Sequence, residues 1–266
     1  MSLTLVSKKP FDALFLSVSP HLKLFDQPLL KSLAKFYSIA HWEYIQTEDE
    51  PSSLDPALTL LYDYIKSYDH PIHLMGHGLS GLLALLFSHH YPQRVRSLTL
   101  LAVGGQPGIT WHAHYYAQRH LFPCSREQLL TKTAQSLLAS SEQWRIQSLA
   151  LALRQELDTS PIPHSLLGIA AFSPHSTTVP MLICGSLDDS IIDSNSLKSW
   201  QNFLKPIDQI WFCPEGRHFF HYFYPKLVAL KILDFWEKWG KSSVQIQATI
   251  QDELAKNESL VIREML

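Results

Sequence analysis

The sequence predicts an α/β domain: a mostly parallel sheet flanked by helices, with a block of helices inserted partway along the chain. Three observations predict it. Short apolar runs alternate with helically spaced segments from Ala13 to Val103, the alternation stops between about Gly104 and Thr178, and it resumes from Val179 to Trp239. The runs are nearly all apolar, as strands covered on both faces should be, and only 17% of the 266 residues are charged.

Each element has its own signal. Ala13 to Val18, between Pro10 and Pro20, is a buried strand. Leu29, Leu30, Leu33, Ala34 and Tyr37 have helical spacing after Pro28, which is tolerated in a first turn. Ser38 to Ile45 is a second strand, and Ser53 or Asp55 can cap a helix through Leu58, Leu61, Tyr62 and Ile65. His70 to Gly76 is a third strand, Leu79 to His90 an apolar helix, and Val95 to Val103 a fourth strand. The inserted block carries helical patterns over Arg126 to Ser140 and Ser141 to Leu157. After it come Val179 to Cys184 (strand), Leu197 to Phe203 (helix), Gln209 to Cys213 (strand) and Pro225 to Trp239 (helix). In the last stretch, Ile250, Leu254, Val261 and Met265 give an amphipathic tail that could dock on the body or on a second copy of the chain.

Composition narrows the function classes. Lys and Arg number 22 against 24 Asp and Glu, so no excess positive charge favours nucleic acid or an anionic membrane. The longest apolar run, Leu82 to Phe87, is far short of the roughly 20 residues a membrane span needs, and the N-terminus lacks the order of a signal peptide. A soluble, cytoplasmic protein is the expectation. Cys124, Cys184 and Cys213 form no C-x-x-C pair and are expected as reduced core thiols. The 14 histidines are many for this length and could mean a crowded polar interior.

The informative segment is Pro71 to Gly104. Its order of strand, Gly76-His77-Gly78-Leu79-Ser80-Gly81, helix and strand resembles the nucleophile elbow of the α/β-hydrolase superfamily. There a G-x-S-x-G turn lifts a serine hydroxyl toward the pocket; here the nucleophile position holds Gly78. Ser80 is a poor substitute, since two residues along a helix rotate the hydroxyl by about 200°, and it suits the packing role of the motif's second glycine. The remaining positions follow the superfamily's order. Val179 to Asp193 resembles the strand and acid loop, with Asp188 and Asp189 both candidates, and Glu215 to His221 resembles the loop of the catalytic histidine, His218, with Arg217 in place of a common glycine.

The resemblance implies two oxyanion amides, here Leu79 and His21, although Ser19-Pro20-His21 replaces the usual His-Gly and Trp42-Glu43-Tyr44 replaces a Pro-Asp and glycine-rich loop. It implies a core of residues 1–104 and 179–240, a helical lid at 105–178 and a tail at 241–266. Trp111, Tyr115 and His77 are candidates to line a ligand site. His112 and His114, two residues apart in a stretch that looks helical or looped, would not face one metal ion, and no cofactor or metal is expected. His89 and His90 should cap the carbonyls at a helix end.

The function so implied is a hydrolase-fold protein without the serine nucleophile, holding a small apolar molecule or a protein partner under its lid. One alternative is an enzyme using a His–Asp general base without a covalent intermediate; a second is a serine esterase using Ser80.

Overall fold

The computed structural model describes residues 10–46, 53–106, 108–159, 161 and 177–240. Its apolar runs form six strands: β1 (Ala13–Ser17), β2 (Ile39–Glu43), β3 (Ile72–His77), β4 (Val95–Leu101), β5 (Met181–Ser186) and β6 (Gln209–Cys213). All neighbouring pairs are parallel and the spatial order is β2-β1-β3-β4-β5-β6. Every residue of β1 and β5 is buried, whereas edge strands β2 and β6 are mostly half-buried. The apolar runs are therefore explained by helices on both faces.

Those helices are α1 (Gln27–Leu33), α2 (Asp55–Ile65), α3 (Leu79–His90), α7 (Ser194–Lys198), α8 (Phe220–Phe223) and α9 (Pro225–Glu237). In α3 nine of the twelve residues are buried, which makes it the central helix of the sheet. Leu54 stands at the N-cap of α2 with no side-chain cap, so neither Ser53 nor Asp55 caps the helix as expected; Ser53 Oγ accepts the Asp55 amide at 3.1 Å just ahead of it, and His90 Nδ1 donates to the Leu86 carbonyl at 2.8 Å. Cys184 and Cys213 are buried free thiols, but Cys124 is only half-buried.

Between β4 and β5 the described chain is helical: α4 (Trp111–Leu121), α5 (Arg126–Leu137) and α6 (Gln143–Thr159). The sequence left α4 undecided between helix and loop because its face mixes Trp111, His112 and Tyr115 with polar neighbours; Thr110 Oγ1 caps it by accepting the Ala113 amide. Helix α6 packs on the 3-10 turn Pro20–Phe25 that follows β1. Arg217 ties α5 to the loop after β6, donating through Nη1 to the carbonyls of Gln135 at 2.5 Å and Leu138 at 3.1 Å. The expected tail, 241–266, lies outside the described residues, as do 1–9 and 47–52 of the core and 107, 160 and 162–176 of the inserted block. Among the described residues no helix is long and apolar enough to cross a membrane.

Candidate active site

Parallel strands all end on the same edge, so the turns after β1, β3, β5 and β6 converge there. The β3–α3 turn is held tightly by two glycines: a Cβ on Gly81 would stand 2.8 Å from the Gly76 carbonyl oxygen, and one on Gly76 would stand 2.5 Å from the Ser80 backbone. Between them Gly78 sits at φ +52°, in the region L side chains rarely adopt. Among the described residues a Cβ there would meet one atom within 4.0 Å, Nε2 of His218. Gly78 thus combines a left-handed backbone with an outlook onto the His218 ring.

His218, which is 2% exposed, donates from Nδ1 to Asp189 Oδ2 at 2.9 Å. Asp189 also accepts the amides of Ile191 at 2.8 Å and Ile192 at 3.2 Å. Burial pushes its carboxyl upward, but the charge and hydrogen bond of His218 and these amides outweigh burial and hold it below the usual carboxylate range. Asp188, the other candidate, bonds its own loop and the backbone of the loop after β6. It accepts the Ser186 hydroxyl at 2.5 Å and the Arg217 amide at 2.8 Å. The two neighbours therefore divide the work: one orients the imidazole and the other fixes the loop that carries it.

The remaining candidates are placed unequally. The Ser80 hydroxyl accepts the buried amide of Val18 at 3.0 Å, stitching α3 to the end of β1. Leu79 provides the first amide of α3, but the His21 amide is engaged by Glu156 Oε1 at 2.8 Å. Glu156 comes from α6 and is fully buried; burial lifts its carboxyl to about 7, with the His21 amide and the Ser19 hydroxyl pulling the other way. His77 donates from Nε2 to the His218 carbonyl at 2.9 Å. Burial and the neighbouring His221 and His218 hold its basicity well below the ordinary range.

Two cavities of about 10 and 20 Å³ flank Gly78, each with room for about one water. Trp111, His218 and Leu79 line both. Tyr115 does not reach them; it borders an open groove of about 320 Å³ with Tyr116, Arg119, Arg126, Leu157 and Asp158. His112 stacks on Trp111 at 3.8 Å between ring centroids, while His114 bonds Gln118 at 2.5 Å, so these two histidines have separate roles on α4.

Three residues at this edge were not anticipated. Glu156 falls on the buried stripe Ile146, Leu149, Leu153, Glu156, Leu157, and a carboxylate at an apolar helical position was the available signal. Asp26 and His221 share a hydrogen bond of 3.0 Å across 195 residues of sequence, a separation that leaves no local signal. Burial raises Asp26 to about 8, partly offset by His41, and lowers His221 to about 3, with His218 acting in the same direction.

No family model matches the chain. It is 45% identical over 226 residues to the uncharacterized protein alr2406 of Nostoc sp. (strain PCC 7120), covering 85% of this chain and 90% of the relative. Against the uncharacterized protein sll0249 of Synechocystis sp. (strain PCC 6803) the identity is 40% over 223 residues, covering 84% and 89%. Among solved structures it is similar to the meta-cleavage product hydrolase CumD of Pseudomonas fluorescens, with TM-score 0.66, 14% identity and coverage of 86% of this chain and 90% of that one. Naproxen esterase of Bacillus subtilis gives TM-score 0.65 at 15% identity, covering 86% and 85%. Such identities speak to the fold alone. The chain therefore has the α/β-hydrolase fold and belongs to the same family as alr2406 and sll0249.

Proposed function

We propose that this protein is a hydrolase that works without a covalent serine intermediate, with His218 as general base and Asp189 as the residue that orients it. The observation that carries the reading is the outlook of Gly78: His218 Nε2 lies 4.0 Å from where a nucleophile's Cβ would be, beside water-sized space. With Nδ1–H given to Asp189, Nε2 carries the lone pair. It removes a proton from water, the resulting hydroxide adds to the substrate's carbonyl carbon, and the imidazolium returns the proton to the departing group. The Leu79 amide, first of α3, would be the donor to the developing oxyanion.

The substrate class is a small, largely apolar molecule with a hydrolysable carbonyl, in keeping with the apolar lining by Leu79, Leu82, Val103, Ile109 and Trp111. Structures of similar fold include an esterase and a meta-cleavage product hydrolase. Residues 105–178 would serve as the lid, and the segment around Trp111 must withdraw for anything larger than water to enter. A second reading, a ligand-holding protein without turnover, rests on the missing side chain at Gly78.

A panel of p-nitrophenyl esters separates the two. Hydrolysis that disappears in His218→Ala and persists in Ser80→Ala supports the base mechanism. No turnover by the folded protein overturns it in favour of binding alone, and loss with Ser80→Ala points to the esterase.

A further inference from the structure

We propose that Asp26, His77 and His221 form a binding site for a divalent first-row transition metal of the Zn²⁺ kind, beside the His218–Asp189 pair and independent of whether that pair acts as a base. The three residues come from separate elements: Asp26 follows the 3-10 turn Pro20–Phe25, His77 ends β3 and His221 lies in α8. One ligand atom from each lies within 4.8 Å of the other two. Zn–N and Zn–O distances near 2.0 to 2.1 Å place tetrahedral ligands roughly 3.4 Å apart, so side-chain rotation of about 1 Å closes the set.

The chemistry of the donors fits. His77 gives its Nε2–H to the His218 carbonyl at 2.9 Å, which leaves Nδ1 as the lone-pair nitrogen; a backbone carbonyl is a usual outer partner of a metal-bound histidine. His221 is fully buried, its Nε2 lies 3.0 Å from Asp26 Oδ1, and its Nδ1 has no hydrogen-bond partner among the described residues. A merely structural pair would be expected to have both ring nitrogens satisfied. Phe25 and Phe219, stacked at 4.2 Å, add an apolar wall beside the cluster, and the His77 ring lies 5.3 Å from that of Phe219. Two imidazoles and one carboxylate suit Zn²⁺ or Co²⁺ and are too few oxygens for Ca²⁺ or Mg²⁺.

The arrangement also leaves a place for a fourth, non-protein ligand. Asp26 and His77 line the 20 Å³ cavity together with Gly78 and His218, so a water on the metal would lie in the space that His218 faces. Three protein ligands and one exchangeable water is the pattern of reactive zinc sites, whereas structural sites are closed by four.

The test uses the full chain after dialysis against a chelator. Co²⁺ added to the wild-type protein should give the intense visible bands of tetrahedral coordination; weak octahedral bands would overturn the proposal without any variant. Equilibrium dialysis with Zn²⁺ should show about one tight site per chain, weakened by about 100-fold in His221→Gln and in Asp26→Asn and retained in His114→Gln. Equal affinity in all three variants would assign the ion to surface histidines and overturn the site. Circular dichroism of each variant separates loss of ligation from loss of fold, and if both ligand variants unfold, the Co²⁺ spectrum decides.

Discussion

Asp189 and Glu156 are both buried carboxylates, and they reach the same edge of the sheet from opposite sides: Asp189 on the loop after β5, Glu156 on helix α6. Their acidities diverge because Asp189 faces the charge of His218 as well as more donors. Asp189 accepts an imidazole N–H and two backbone amides, enough to hold it ionised in spite of burial. Glu156 has one amide and a nearby hydroxyl, and its carboxyl rises to about 7. Burial alone does not decide the charge of a carboxyl; a neighbouring opposite charge and the N–H groups aimed at it can outweigh it. The carboxyl held ionised is the one hydrogen-bonded to His218.

The largest effect that could break this contrast is on turnover. Asp189→Asn should lower ester hydrolysis by about 10³- to 10⁴-fold, because the amide favours the wrong imidazole tautomer and no longer stabilises the imidazolium. Steady-state rates check it, and a loss smaller than tenfold would remove Asp189 from its role. Next in size is the pH dependence contributed by Glu156. Its folded value near 7 stands above the ordinary 4.5, so the folded state holds a proton the unfolded chain has released. Stability should therefore fall by about 3 kcal/mol as pH rises from about 4.5 to about 7. Denaturant melts at pH 5 and pH 8 should show a fall in the wild type that shrinks by about 3 kcal/mol in Glu156→Gln, the remainder belonging to Asp26, whose folded value of about 8 acts in the same direction.

Two smaller changes sharpen the comparison at the elbow. Ser80→Ala leaves the Val18 amide buried without its acceptor, and should cost about 1–3 kcal/mol in a urea melt. Gly78→Ser places a side chain at φ +52°, with an expected cost of about 1–2 kcal/mol. The new hydroxyl would face His218, so the variant should gain labelling by a serine-directed fluorophosphonate that the wild type lacks.

Much of the fold was legible because its strands announce themselves. Apolar runs between prolines and glycines gave all six, and Gln209–Cys213 and Leu79–His90 match residue for residue. The site was legible only where a local motif exists. Gly78 and His218 stand in strings whose order carries meaning, whereas the choice between Asp188 and Asp189 depends on how the loop turns toward Ile191 and Ile192. Asp26, His221 and Glu156 reach the site through long-range contacts, His221 to Asp26 and Glu156 to His21, so periodicity could mark at most the oddity of Glu156 on an apolar stripe. Several of the many histidines now have places: His73 bonds Ser97 at 2.7 Å in the core, and His77, His218 and His221 crowd one corner with ring centroids 4.5 to 4.8 Å from His77.

Hydrolysis driven by His218 would pass through no acyl-enzyme, and intact-protein mass spectrometry during turnover of a p-nitrophenyl ester reads this out. The expected result is product release while the protein keeps its unmodified mass, with the rate unchanged after fluorophosphonate treatment. A stoichiometric acyl adduct on Ser80, accompanied by loss of the rate after that treatment, would contradict it.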